Sequence, residues 1–205
     1  MHQTRCIIGP ALGVHFREGK MDESLERRLR ELLDRQEIWS VLLRYSRGLD
    51  RLDREMVRSC YHEDAIDDHH VFVGKVEDFI DWAFDYSIRC NTVHHHGIGN
   101  HYCELDGDNA YSETYYTFIG ANLQPPHLLS MGRYIDHFQR RGGLWRIANR
   151  VCVIEKQFDL LESQGNAVDP TDPHLGALRH ASRDRNDLSY HRPVVPRRPP
   201  VPTRG

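Results

Sequence analysis

Residues 91–119 read NTVHHHGIGNHYCELDGDNAYSETYYTFI, and this stretch decides the fold. Two runs rich in β-branched and aromatic residues flank the turn sequence LDGD, a pattern that predicts two antiparallel strands joined by a hairpin. Because alternate side chains of a strand point to opposite faces, every second residue from His94 onward is predicted to share one face. The members of that face are His94, His96, Ile98, Asn100 and Tyr102.

His96 is the most informative residue on this face. Its neighbours along the predicted face include the apolar Ile98, and the face carries little charge. An imidazole titrates near neutral pH, so a histidine in such surroundings suits a cavity wall that moves one proton. Adjacent histidines also occur as surface decoration or as hydrogen-bonded core residues, and spacing alone leaves those alternatives open.

The chain before the hairpin predicts three helices. Apolar residues from Leu25 to Leu49 recur at three- and four-residue intervals, which is typical of a long amphipathic helix. Asp53 then caps a short second helix, and residues 76–89 carry the apolar stripe of a third. Helices followed by a run of strands indicate an α+β fold.

The chain after the third helix predicts a curved antiparallel sheet. Its strands are expected over residues 92–105, 110–119, 128–140 and 144–154, and the sequence RRGG suits a hairpin turn between the last two. Those two strands carry apolar residues on both faces. We therefore expect helices and a pocket on one face of the sheet, and a second subunit of a homodimer or higher homo-oligomer on the other.

Length and composition predict one domain with an extension at each end. The chain has 205 residues, enough for one sizeable core and too few for two ordinary domains. We expect a disordered or non-native extension over residues 1–20, a domain over 21–160, and a largely mobile C-terminal extension over 161–205 that is rich in proline and charge. Met21 is an alternative start of translation, and a short helix is expected around residues 175–183.

Charge and cysteine usage exclude several classes of protein. The net charge is −3, and no basic block interleaves with aromatic residues, so a nucleic-acid partner is not indicated. No apolar run approaches the roughly 18 to 20 residues of a membrane span, and the first residues lack the continuous apolar core of a secretory signal. We therefore expect a cytoplasmic protein without a membrane partner.

Five cysteines without a CxxC pair suggest reduced thiols. Only 3 of the 27 basic residues are lysine, a bias that we associate with a bacterial genome of high GC content.

Metal and cofactor binding are not predicted. Asp67, Asp68, His69 and His70 are metal-ligand types, but no pair of histidines four residues apart on a helix accompanies them. The chain has no glycine-rich phosphate loop and no GxSxG nucleophile turn. We therefore expect no metal and no cofactor, and a small molecule as the main partner.

The order of these motifs resembles the nuclear transport factor 2-like superfamily, and more narrowly its SnoaL-like branch. The resemblance spans residues 23–156 and includes LDRxD at a helix end, a downstream DA pair, the HxxxN of the histidine strand and a final GxWRIxxR strand. It implies a cone-shaped barrel, in which three helices pack on the curved sheet and enclose one apolar cavity. Scytalone dehydratase, bile-acid 7-alpha-dehydratase and hexachlorocyclohexane dehydrochlorinase use such a cavity for eliminations.

The resemblance also implies roles for four residues. His96 would remove a proton from carbon, while Asp50 holds the other ring N–H and stabilises the imidazolium that forms. Tyr45 and Arg150 would donate hydrogen bonds to the leaving hydroxyl or to a developing oxyanion. One departure from the bile-acid dehydratase pattern is that its further acid falls at Phe118 here.

The expected function is a cofactor-independent lyase that eliminates water from a small, largely apolar cyclic substrate. The substrate is expected to contact Asn100, His69, Ile98 and Trp82. Two alternatives stay open, because one fold supports many functions. The first is a protein of the same fold that binds a small molecule or serves as a scaffold, without catalysis. The second is an isomerase or hydrolase that uses the same pocket.

Overall fold

The computed structural model describes residues 22–161 and 182–196. Its three helices are α1 (Glu23–Asp50), α2 (Arg54–Arg58) and α3 (Val76–Cys90). Its six strands are β1 (Tyr61–Asp68), β2 (Val73–Lys75), β3 (Asn91–Asp106), β4 (Asn109–Asn122), β5 (His127–Arg141) and β6 (Leu144–Leu160). Within these described ranges, none of the helices combines the length and the apolar character needed to cross a membrane.

Helix α1 begins and ends as its sequence predicts, but only its second half is buried. The Asp22 side chain accepts a hydrogen bond from the Ser24 amide and caps the first turn. From Ile38 onward the inward face is buried and ends at Asp50. The apolar residues of the first turns are instead exposed, and Leu32 keeps 62% of its surface in contact with solvent. The apolar stripe therefore extends beyond the part of the helix that the sheet covers.

The sheet is mixed and open rather than an antiparallel barrel. Its strand order is β2-β1-β6-β5-β4-β3, so β2 and β3 form two free edges. All neighbouring strands are antiparallel except β1 and β6, which pair in parallel. This corrects the predicted all-antiparallel barrel. Apolar alternation identifies strands but does not show which distant strands become neighbours, and β1 pairs with the last strand of the chain.

A bulge in β3 reverses the alternation on which the sequence prediction relied. His96 pairs with Phe118 on β4, but the register between the two strands shifts between Ile98 and His101. After this shift, Asn100 and the following even-numbered residues turn outward, and Tyr102 is 64% exposed. An extra residue in one strand has this effect because the side-chain period of a strand is two. The predicted face therefore ends at Ile98.

The core lies between the helices and the inner face of the sheet. Fully buried aromatic rings from four elements meet there: Tyr45 of α1, Tyr61 of β1, Phe79 of α3 and Tyr134 of β5. The ring centroids of Tyr45 and Tyr134 are 5.6 Å apart in an edge-on arrangement. Such contacts stabilise a core beyond the burial of area alone. These rings hold α1 against β1, α3 and β5. The end of α1 also contacts β3, where the Leu49 carbonyl accepts a hydrogen bond from His94, and this contact positions the site.

The described part of the C-terminal extension packs against the end of α1 and the end of α3. The Arg183 guanidinium donates hydrogen bonds to the carbonyls of Ser87 at 3.1 Å and Asn91 at 2.9 Å. The Tyr190 hydroxyl donates to Asp53 at 2.8 Å. The predicted N-terminal extension and most of the predicted helix around residues 175–183 lie outside the described residues. The three domain boundaries stay predictions.

Candidate active site

Asp50 and His96 form a hydrogen-bonded pair at the end of α1. The ring Nδ1 of His96 lies 2.6 Å from Asp50 Oδ1, and the backbone amide of His96 lies 3.1 Å from each carboxylate oxygen. Because an ionised carboxylate can only accept, Nδ1 carries the proton of this bond in the neutral ring. Nε2 then has a free lone pair, which is the arrangement of a general base whose tautomer is held by a carboxylate.

His94 supports this pair from inside the protein. Its Nε2 donates to the Leu49 carbonyl at 2.9 Å. Burial, together with repulsion from His96, lowers the pKa of His94 to about 4, so its ring is neutral. The rings of His94 and His96 meet edge to face with centroids 5.7 Å apart, and the Phe118 ring lies 5.0 Å from His96 and 5.9 Å from His94. These contacts fix the orientation of the His96 ring.

Asp50, His94 and His96 also form a cluster of metal-ligand types. One atom of each lies within 4.8 Å of the others. Metal ligation needs a free lone pair on each imidazole. The nitrogens nearest Asp50 are occupied by hydrogens, since His94 Nε2 donates to a carbonyl and His96 Nδ1 donates to the carboxylate. These hydrogen bonds fit proton transfer better than metal binding.

His96 lines a cavity of about 530 Å³ between α3 and the inner face of the sheet. Most of its wall is aromatic or apolar. The lining residues that matter below are His69, Trp82, His96, Tyr116, Phe118, Tyr134 and Cys152. At least two further concavities, of about 400 and 850 Å³, are lined by residues of β3, β4 and neighbouring strands. The structure therefore does not show the single enclosed cavity that was expected.

Of the residues predicted to contact substrate, His69 and Trp82 line the cavity and Asn100 does not. Asn100 is exposed because of the β3 bulge. Ile98 is half-buried and packs against the core. Phe118, which replaces an acid of the bile-acid dehydratase pattern, forms an apolar wall beside His96.

Arg150 does not reach the cavity, which corrects its expected contact with the leaving group. Its Nε and Nη2 donate to the two oxygens of Asp136 at 2.6 and 2.8 Å, and both side chains are fully buried. The guanidinium carbon lies 4.1 Å from the ring centroids of Tyr45 and of Tyr134. Arg150 is therefore held by a bidentate ion pair and by two aromatic faces.

Tyr45 is fully buried beneath the cavity wall. Burial raises its pKa well above the ordinary value, so it stays a neutral phenol. Its hydroxyl lies 3.5 Å from Nε2 of His69, and its ring contacts Tyr134; both of those residues line the cavity, whereas Tyr45 does not. His69 is in turn bonded to Asp67, which the sequence suggested only as a metal ligand. The sequence interpretation did not name two further residues of the cavity wall, Tyr116 and Cys152. The alternation of inward and outward residues along β4 and β6 is the pattern that could have indicated them.

The model of the family described as SnoaL-like domain matches residues 30–151. No curated protein matches the chain. Among solved structures, a type 2 hexachlorocyclohexane dehydrochlorinase, LinA, superposes with a TM-score of 0.62 at 17% identity, covering 70% of this chain and 99% of that one.

Two other structures are similar. A structure described as LinA gives a TM-score of 0.61 at 18% identity and covers 65% of this chain and 93% of its own. A putative scytalone dehydratase from Novosphingobium aromaticivorans gives 0.58 at 17% identity and covers 65% and 91%. At these identities the similarity establishes the fold alone.

Proposed function

The chain belongs to the SnoaL-like domain family of the nuclear transport factor 2-like superfamily, and from that premise we propose that it is a cofactor-independent lyase. One observation carries the proposal. His96 is hydrogen-bonded through Nδ1 to Asp50, and the same ring lines an apolar cavity. A base whose tautomer is held by a carboxylate is suited to removing a proton from carbon.

In the proposed reaction, Nε2 of His96 takes a proton from a carbon next to an activating group. The electron pair of that C–H bond forms the new double bond, and the leaving group on the neighbouring carbon departs with its own bonding pair. Asp50 stabilises the imidazolium while it exists, because its carboxylate accepts the Nδ1–H bond. No step requires a metal or an organic cofactor.

The size and the lining of the cavity support the proposed kind of substrate. A volume of about 530 Å³ is within the range of small-molecule sites, and its aromatic wall favours a compact, largely apolar, cyclic molecule. Excluding water from such a cavity strengthens the electrostatic contacts made inside it. Binding without catalysis and isomerisation are the alternatives that the first experiment separates.

The experiment is incubation of the protein with a set of cyclic alcohols and β-hydroxyketones, followed by mass spectrometry of bound and released molecules. An elimination product that the His96→Ala variant does not release supports the proposal. His95→Ala is the matched control, because His95 lies on the exposed face of the same strand. A molecule that is retained unchanged by all three proteins would favour a binding protein, and a product of unchanged mass would favour an isomerase.

A homodimer formed by the outer face of the sheet is part of the proposal. Ile119, Met131, Ile135 and Val151 lie on that face and are 37–44% exposed. Exposed apolar side chains on one face of a sheet are typical of an interaction surface. Light scattering that gives the mass of a monomer at micromolar concentration would contradict this. The cytoplasmic location stays a prediction.

A further inference from the structure

A second histidine and carboxylate pair lies on another part of the same cavity wall. His69 follows β1, and its Nδ1 is hydrogen-bonded to Oδ1 of Asp67. Oδ2 of Asp67 accepts a bond of 2.5 Å from the Tyr61 hydroxyl, and both Asp67 and Tyr61 are fully buried. Both oxygens of this carboxylate are thus engaged by side chains, and His69 is its only cationic partner among these contacts.

The surroundings of His69 favour its charged form. Burial among the rings of Phe79, Trp82 and Tyr134 lowers its pKa, but the charge and hydrogen bond of Asp67 raise it more, to about 10. Burial keeps the phenols of Tyr45 and Tyr134 neutral by raising the pKa of each, and a hydrogen bond with the Cys152 side chain also raises the pKa of His69. His69 is therefore an imidazolium near neutral pH, with a proton on each nitrogen.

The second proton of His69 is available to a ligand. Nδ1 faces the buried Asp67, and Nε2 lies on the opposite edge of a ring that lines the cavity. The protein contacts of that edge are weak: the Tyr45 hydroxyl lies 3.5 Å from Nε2, at the long limit of a hydrogen bond, and the other partner of the ring is the thiol of Cys152, a weak acceptor that also lines the cavity. The His69 side chain keeps 16% of its surface exposed. An acceptor in the cavity can therefore take this hydrogen bond.

Two histidines thus line one cavity, and each is hydrogen-bonded through Nδ1 to an aspartate. We propose that His69 is the general acid that protonates the leaving oxygen, so that the substrate is an alcohol that loses water rather than a halide. The inference rests on the proposed lyase function and names its substrate class. Hydroxide is a poor leaving group and needs a proton, whereas a halide leaves without one.

The proton and electron balance of the step is complete. Nε2 of His96 takes the proton from carbon, and the C–H electron pair becomes the double bond. The C–O bond breaks with its electrons on oxygen, which receives the Nε2 proton of His69, and water leaves. His96 ends as an imidazolium and His69 as a neutral ring. Proton exchange with solvent through the cavity restores both.

The first test needs no turnover and uses 4-nitrophenol, whose oxygen stands for the leaving oxygen. We expect the protein to bind it as the phenolate, seen as visible absorption, at a pH where most of it is neutral in buffer. His69→Gln should weaken phenolate binding about tenfold or more, since hydrogen bonds to charged groups contribute about 1.5–3 kcal/mol. His95→Gln should leave it unchanged.

Asp67→Asn is the second variant in this test, because it keeps His69 and removes the charge that holds its proton. It should also weaken phenolate binding, and thermal melting shows which variants are folded. The inference is overturned if the wild type shows no saturable phenolate binding. It is equally overturned if phenolate binding survives in both folded variants, or is lost in His96→Gln and kept in His69→Gln.

A second test compares leaving groups, with 3-hydroxycyclohexanone and 3-(4-nitrophenoxy)cyclohexanone as probes. His69→Gln should lose turnover of the hydroxyl compound and keep that of the nitrophenoxy compound, whose leaving group needs no proton. Equal losses on both probes would reduce His69 to a positioning role and overturn the inference. His96→Ala should lose both, and full activity of His96→Ala on both probes would instead overturn the lyase proposal. The two failures are therefore distinguishable.

Discussion

The two histidine and aspartate pairs use the same residue types, but their carboxylates have different surroundings. Asp50 accepts bonds from the ring of His96 and from its backbone amide, and 13% of its side chain is exposed. Asp67 is fully buried, and within the described residues its side chain is hydrogen-bonded to the side chains of His69 and Tyr61. This buried carboxylate raises the pKa of His69. Backbone hydrogen bonds and exposure to solvent therefore distinguish two pairs built from the same residue types.

The largest expected effect is at the Asp50 pair. His96→Ala and Asp50→Asn should each lower turnover of an eliminable substrate by about 10²–10⁴-fold, the usual contribution of a general base. The double variant should be little slower than His96→Ala, because groups that act as one unit are non-additive. The measurement is kcat/KM with melting curves as the control for folding. Independent losses that multiply would contradict a single unit.

A third buried pair, Arg150 and Asp136, shows what such a pair does when it does not line the cavity of His96. Arg150→Met should lower the free energy of unfolding by about 3–5 kcal/mol, because it leaves the buried Asp136 without its partner. Arg150→Met combined with Asp136→Leu should recover much of that loss. Urea unfolding measures both. A double variant as unstable as Arg150→Met would mean that the contacts of the guanidinium with Tyr45 and Tyr134 matter more than its charge.

The pH dependence of stability should separate the two cavity pairs. The pKa of His69 is raised to about 10 in the folded protein, above the ordinary value of about 6.5 for an unfolded chain. Its contribution to the free energy of unfolding is therefore fully present below about pH 6.5 and is lost as the pH rises towards 10.

The measurement is the melting temperature of the wild type and of His69→Gln across that range of pH. The difference between the two proteins should shrink as the pH rises. A difference that stays constant would show that His69 is neutral in the folded protein. His95→Gln, on the exposed face of β3, should show no such trend.

The smallest effect is expected at Asn100, which marks where the cavity wall of β3 ends. Asn100→Ala should leave turnover unchanged and should alter the free energy of unfolding by no more than about 0.5 kcal/mol, as for most surface substitutions. A large loss of turnover would mean that Asn100 turns inward and that the strand has no bulge when substrate is bound.

The sequence alone predicted the structural features that are set by residues close together in the chain. Helical spacing placed Tyr45 in the buried stripe of α1, and the structure buries it completely. The capping role of Asp53 follows from its position before α2, where its side chain accepts a bond from the Met56 amide. Strand alternation in β3 placed His94 and His96 on one inward face. Each of these features is set by residues only a few positions apart.

How these elements meet could be read only from the folded chain. The first strand, β1, pairs in parallel with the last, β6, and the β3 bulge is visible only in the register of β3 with β4. The sequence pattern likewise did not show that Arg150 pairs with Asp136 across β5 and β6, or that His69 reaches the cavity of His96. Alternation and capping are short-range preferences of the backbone, whereas proton states and ion pairs depend on the burial and charge that distant residues supply.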